Sequence, residues 1–218
     1  MQRTLYSYWR SSAAYRLRIA LNLKLLNFEQ KPVDLVANEQ KAEDYLELNP
    51  AGLVPALVVG TPGPDQIVLG QSLAMIEYLE EVHPEPALLP VDPVERARVR
   101  QIALIVACEM HPLNNIAILR YLKDPLGVSD EAKQAWYEHW VERGFDGIER
   151  ILGDGQAGNY CHGDQPTYAD VFLVPQVYNA RRFNCDLEPY PQIRRAEANC
   201  LEHPAFANAI PEKQPDAR

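Results

Sequence analysis

The sequence predicts an α+β fold, in which a half that mixes strands with helices precedes a half made of helices only. Three observations lead there. β-Prone runs alternate with amphipathic stretches as far as Glu81, a proline-rich stretch covers residues 83–93, and no strand pattern returns beyond it. A chain of 218 residues exceeds the usual ~150 per domain, which leaves room for one large domain or two modest ones.

Leu5, Tyr6, Tyr8 and Trp9 form a short strand-like run, and Ser11-Ser12 then offers N-cap chemistry ahead of a helix over 13–26. In that helix Leu17, Ala20 and Leu21 make the apolar stripe, with Arg16 and Arg18 beside it. A weaker strand over 28–35 completes a βαβ unit, whose crossover is expected to be right-handed. A short helix over 44–48 must stop before Pro50, because the residue preceding proline resists the helical region. Residues 53–59 read as a strand with Pro55 at its threshold. The turn cluster 61–65 sends the chain back as a paired strand, Ile67–Leu69, and Gln71-Ser72 opens another capped helix. The order is βαβ, then ββα.

The proline-rich stretch is the natural linker, giving expected domains of 1–83 and 94–218 joined by 84–93. Past it, 94–123 is a long helical run that Pro112 should kink or break. Further helices are expected over 130–152, 167–183 and 190–201. Thr167 and Asp170 form a capping-box-like start with a folding role, and Trp136 and Trp140, four apart on one helix face, are expected in the core.

The formal net charge of -9 disfavours a nucleic-acid surface, which needs concentrated Lys and Arg. It leaves open a basic pocket for a small anion. The most apolar helical stretch, 102–107, is far short of the roughly 18 residues of a membrane span, and residues 1–9 lack signal-peptide organisation. No membrane and a cytoplasmic location are therefore expected. Cys108, Cys161, Cys185 and Cys200 show neither CxxC spacing nor histidine company, so free thiols and no metal site are expected.

The run from Tyr6 to Leu21, with Tyr8-Trp9-Arg10-Ser11-Ser12-Ala13-Ala14 at its centre, resembles the amino-terminal signature of zeta-class glutathione transferases. The resemblance continues through Asn49-Pro50, Leu53-Val54-Pro55, Gln71-Ser72 to Glu81, His111-Pro112-Leu113-Asn114-Asn115 and Leu173 to Val177, in the family's order along the chain. One departure matters. The family signature commonly reads Ser-Ser-Cys, and Ala13 stands where the cysteine would be, so no thiol at that position can contribute here.

The resemblance implies a thioredoxin-like first domain with a mixed sheet, an all-helical second domain and a homodimer. It implies glutathione as a recycled cofactor and conversion of 4-maleylacetoacetate to 4-fumarylacetoacetate. Maleylpyruvate isomerisation, action on small α-haloacids, and a non-catalytic interaction protein are the alternatives. Ser11 is the implied main donor to the glutathione thiolate, with Ser12 and the backbone at Ala13 and Ala14 assisting. By itself, either serine is equally an N-cap. Val54 with a cis Pro55 is implied to pair with the peptide-like cofactor as an added strand. Gln71 and Ser72 are implied to hold its γ-glutamyl end, where a hydroxyl and a helix N-terminus suit a carboxylate, and Gln40 its glycyl end. His111 and Asn115 are implied to reach the cofactor from the second domain, although the family often has Gln where His111 stands. Arg182 and Arg10 are the implied cations for a dicarboxylic substrate.

Overall fold

The structure, a computed structural model, describes residues 2–218, so Met1 of the expected first domain lies outside the described residues. The chain divides into two compact units, one of residues 1–87 with 203–218 and the other of 88–202.

The first unit is built on a mixed four-stranded sheet of order β2-β1-β3-β4. Its strands are β1 (Arg3–Ser7), β2 (Glu29–Pro32), β3 (Ala56–Val59) and β4 (Ile67–Leu69). β1 runs parallel to β2 and antiparallel to β3, and β4 closes a hairpin with β3. The expected βαβ and ββα units are both present, joined through helices α1 (Ser12–Leu23), α2 (Glu43–Leu48) and α3 (Ser72–Val82). β2 is shorter than expected, because Pro32 offers no N–H and Asp34 turns the chain by accepting from the amides of Val36 and Ala37. β3 starts at Ala56 rather than 53 for a similar reason. Pro55 cannot donate to a ladder, and the Leu53 carbonyl is already taken by the Tyr45 hydroxyl and the Asn49 amide, each at 2.7 Å.

α1 lies against α3 and against α9 (Pro204–Ala207), which is how residues 203–218 come to belong to this unit. Arg18 is the main reason. Buried to 1% exposure, it donates to the Ala209 carbonyl at 3.0 Å, and Asn22 donates to that of Ala205. Phe206 and Ala209 are buried in the same unit. The helical domain therefore does not extend to 218 as the sequence suggested, since the last segment finds its acceptors and its apolar cover on α1. The expected linker 84–93 is likewise divided. Lys24 holds the His83 and Pro86 carbonyls at 2.6 and 2.9 Å, keeping 83–87 on the first unit, whereas Leu88 and Leu89 are buried in the second, where the Leu88 carbonyl accepts from Tyr168.

The second unit is helical: α4 (Pro93–Leu104), α5 (Ile116–Lys123), α6 (Asp130–Leu152), α7 (Tyr168–Arg182) and α8 (Pro191–Glu202). The expected run over 94–123 is broken, as Pro112 demands. α4, capped by Asp92, widens into a π-helical segment, Ile105–Met110, and Pro112 occupies the turn that follows. α6 keeps its expected bounds, with Ser129 accepting from Ala132 at its start. It passes the π segment at Gly144, where an added Cβ would lie 2.3 Å from the Met110 sulfur. The capping box of α7 is present: buried Asp170 accepts from the Thr167 amide and hydroxyl at 2.8 and 2.9 Å. Trp136 and Trp140 meet edge to face but stay half-buried rather than fully in the core, and the Trp136 indole N–H fixes the Leu113 carbonyl.

Candidate functional site

In the first unit the expected residues gather where strands end and helices begin. β1 delivers a turn in which the Ser11 amide donates to the Tyr8 carbonyl at 2.9 Å, and α1 starts immediately after. Ser11 is the N-cap: its Oγ accepts from the Ala14 amide at 3.2 Å. That bond uses an acceptor position only, so the hydroxyl proton remains available to an anion, and accepting an N–H polarises the O–H it would offer. Cap and anion donor are therefore compatible roles of one side chain. First-turn amides, with no intrahelical acceptor, and the positive end of the helix dipole face the same way. Ser11 is half-buried, while Ser12, the first helical residue, is only 5% exposed. Of the two hydroxyls, Ser11 is the more accessible.

Val54-Pro55 is cis, the geometry the resemblance implied. β3 pairs with β1 only as far as Ala56, and among the described residues no hydrogen bond holds the Val54 amide or carbonyl. Tyr45 and Asn49 fix the Leu53 carbonyl immediately before it, and burial pushes the Tyr45 hydroxyl up to about 12, which keeps it a neutral donor. Gln40 sits in a short 3₁₀ turn, Glu39–Lys41, buried, and its Oε1 has no hydrogen-bond partner among the described residues. Gly52, at φ 60°, passes so close that a Cβ would stand 3.2 Å from the Gln40 carbonyl oxygen.

α3 begins at Ser72, not with Ser72 as its cap. Gln71 holds that place in the left-handed region at φ 64°, exposed and with no side-chain bond to the helix. Ser72 is buried, and its Oγ accepts from Arg16 at 3.2 Å. A buried guanidinium beside the first turn of α3 makes this corner electropositive, as a carboxylate ligand requires. Arg10 is exposed, its guanidinium 4.0 Å above the Trp9 ring.

In the second unit, His111 ends the π segment, its amide donating to Val106. Asn115 caps α5: its Oδ1 accepts from Ala117 and Ile118, and its Nδ2 donates to Pro112. Both ends of that side chain hold the turn. At the end of α7, Arg181 pairs with buried Glu197, whereas Arg182 is exposed over the Phe183 ring and makes no ion pair among the described residues. Of the two arginines, Arg182 keeps its charge available.

Sequence reasoning missed Arg16, Arg18 and Tyr45. The arginines were expected beside the stripe of α1, and both are buried because acceptors distant in sequence reach them. The signal for Tyr45 was its place four residues before Asn49-Pro50, just outside the blocks that carry the resemblance. The three buried thiols are poorly suited to nucleophilic work. Burial pushes Cys185 up to about 11 and Cys161 and Cys200 well above the usual thiol range.

The family described as Glutathione S-transferase, N-terminal domain, matches residues 1–81, and Glutathione S-transferase, C-terminal domain, matches 130–196. The chain is 48% identical to a probable maleylacetoacetate isomerase of Vibrio cholerae, covering 100% of this chain and 99% of that one. It is 49% identical to the maleylpyruvate isomerase of a Ralstonia species, covering 98% and 99%. Among solved structures, a holo maleyl pyruvate isomerase, described as a bacterial glutathione-S-transferase of zeta class, matches with a TM-score of 0.94 at 48% identity, covering 99% of this chain and 100% of that one. Maleylacetoacetate isomerase from Anaeromyxobacter dehalogenans 2CP-1, with GSH bound in its active site, matches with a TM-score of 0.90 at 46% identity, covering 100% and 98%.

Proposed function

Because this chain belongs to the glutathione S-transferase family, we propose that it is a zeta-class, glutathione-dependent cis/trans isomerase that converts 4-maleylacetoacetate to 4-fumarylacetoacetate. The observation that carries this reading is the Ser11 cap, an accessible hydroxyl at a strand-to-helix junction with its donor proton uncommitted, on a chain alike over its full length to isomerases. The residues fit a peptide-like thiol. Val54 has a backbone edge unused by the chain, Gln40 has a buried oxygen without a partner, and Ser72 sits beside a buried cation.

When bound, glutathione supplies a thiolate that adds reversibly to the cis double bond, so that the substrate rotates about a single bond before the thiolate leaves. The chain's part is to bind, orient and stabilise charge. Ser11 donates its hydroxyl proton to the sulfur, with the first-turn amides of Ser12, Ala13 and Ala14 adding positive potential. Val54, ahead of Pro55, offers strand-like bonds to the cofactor backbone. Ser72 and Gln71 take the γ-glutamyl carboxylate and ammonium, aided by Arg16, and Gln40 takes the glycyl end. Arg10 and Arg182 supply fixed cations for the substrate's carboxylates. In this reading His111 and Asn115 serve the cofactor end through the turn they frame, since the Asn115 side chain is committed to its cap.

Maleylpyruvate is the second candidate substrate, favoured by the similarity to the Ralstonia enzyme and compatible with Ala13. The chain acts as a cytoplasmic homodimer in aromatic amino-acid breakdown under the first assignment. Assay of the purified protein on both maleyl compounds, with and without glutathione, tests the proposal. Isomerisation should require glutathione and leave its concentration constant over many turnovers. Stoichiometric loss of glutathione identifies a conjugating transferase instead, and no turnover of either compound rejects the reading.

A further inference from the structure

The turn that carries Arg10 and Ser11 is held by a segment distant in sequence. The Trp9 amide donates to the Asp216 carboxylate at 2.9 Å, and the other oxygen of Asp216 accepts from Gln30 on β2 at 3.4 Å. The Trp9 carbonyl accepts from Arg18 at 3.0 Å, and Arg18 also donates to the Ala209 carbonyl and to the Ser7 hydroxyl. Both faces of the residue two before Ser11 are thus tied to groups that residues 203–218 supply or help to orient. The segment is itself anchored: Gln214 donates to the Ile210 and Asn208 carbonyls, and Arg218 pairs with Asp34 at 2.8 Å.

We infer that Asp216 is a positioning residue for the proposed reaction: by holding the Trp9 amide it presets the 8–11 turn, and so the aim of the Ser11 hydroxyl and of the Arg10 guanidinium. Three features support this. A carboxylate accepting a backbone N–H is among the stronger hydrogen bonds, so the contact has the strength to fix a peptide plane. Ser11 has little freedom of its own, because its amide closes the turn on Tyr8 and its oxygen caps α1; displacement at Trp9 passes directly to both bonds. Arg10 lies on the Trp9 ring, so Trp9 orients it as well. The attachment is polar rather than packed. Tyr8, Pro32, Asp34 and Glu39 face Pro215 to Arg218 across a cleft of about 420 Å³, so removing the carboxylate opens no apolar core.

The inference rests on the glutathione reading for its consequence but not for its geometry, and the experiment separates the two. Asp216→Ala, Asp216→Asn and, as control, exposed Lys213→Ala are compared with the unaltered chain. Backbone amide exchange at Trp9 reads the attachment without any ligand. Ultraviolet titration of the thiolate in the glutathione complex, with kcat and KM for isomerisation, reads the consequence. Asp216→Ala should speed Trp9 exchange at least tenfold and raise the bound-thiol pKa by about half to one unit, a roughly three- to tenfold loss of thiolate below that pKa. kcat should fall by a similar factor, and Asp216→Asn, whose amide oxygen still accepts from Trp9, should recover most of both. Lys213→Ala should match the unaltered chain. Unchanged Trp9 exchange in Asp216→Ala overturns the inference, as does faster exchange with an unmoved thiol pKa. A chain whose Trp9 exchange responds as expected but which binds no glutathione rejects the functional reading and confines Asp216 to a structural role.

Discussion

Replacing Lys24 by methionine should destabilise the first unit severely, for reasons that can be followed group by group. The Lys24 side chain is 0% exposed and its ammonium lies 2.6 Å from the Glu80 carboxylate, itself 10% exposed. It also donates to the His83 and Pro86 carbonyls, so its three donors are all satisfied. Methionine fills much of the same volume but takes the ammonium away from a buried carboxylate and the donor away from two carbonyls. Breaking a buried pair by removing one partner costs about 3–5 kcal/mol, and the carbonyl losses overlap with that figure rather than adding to it. For a chain of this length each kcal/mol moves Tm by ~2–4 °C, so thermal unfolding followed by circular dichroism should show a fall on the order of 6–20 °C. Lys24→Met with Glu80→Gln should be less damaged than the two single losses combined, since neither charge of the pair is then left to be buried without the other. A Tm loss below about 3 °C, or strictly additive losses in the double variant, would mean that the buried Lys24–Glu80 pair does not hold this unit together.

Gly144→Ala places a methyl 2.3 Å from the sulfur of fully buried Met110 and should cost about 1–3 kcal/mol in denaturant unfolding; Met110→Ala in the same chain should return part of it. His83 accepts from Arg3 at 2.7 Å, and burial together with the Arg3 charge holds its pKa below the ordinary value. The unfolded chain therefore takes the proton first, and stability should fall as pH drops through about 6.5; Tm measured between pH 7.5 and 5.5 should decline less in His83→Gln, which keeps an acceptor and cannot titrate. Arg182→Ala should lose roughly 1.5–3 kcal/mol of substrate stabilisation in kcat/KM with glutathione affinity unchanged, whereas Arg181→Ala should chiefly lower Tm by stranding buried Glu197. Equal weakening of glutathione binding in Arg182→Ala would move that residue to the cofactor.

Local rules reached some elements fully. α6 could be bounded from the sequence because Ser129 caps it and its periodicity runs unbroken to Gly153. The strand-to-helix junction at Ser11-Ser12 was equally legible, since serines before an apolar helical run offer N-cap chemistry, while the choice of Ser11 as the cap came from its bond to the Ala14 amide. Long-range acceptors were not. Arg16 and Arg18 read as flanking a stripe, and only the fold brings Ser72, Trp9 and Ala209 to them. The same cause hid the attachment of 203–218 to the first unit, because a helical pattern does not say which surface its apolar side will meet. At Asn115 the sequence indicated a polar residue beside a proline break, and the structure commits that side chain to capping α5. Residues that act alone at an element boundary were readable, and residues whose role depends on a distant partner were not.

Under the proposed function one hydroxyl, on Ser11, both caps α1 and keeps bound glutathione as its thiolate. Thiolate absorbance at the ultraviolet edge, followed against pH in the glutathione complexes of the unaltered chain, Ser11→Ala and Ser12→Ala, tests it most directly. Ser11→Ala should raise the bound-thiol pKa by about one unit or more, each unit being about 1.36 kcal/mol of lost thiolate preference, while most glutathione affinity remains. Ser12→Ala should shift it less, as a buried first-turn residue. A titration displaced by Ser12→Ala and unmoved by Ser11→Ala would contradict the account.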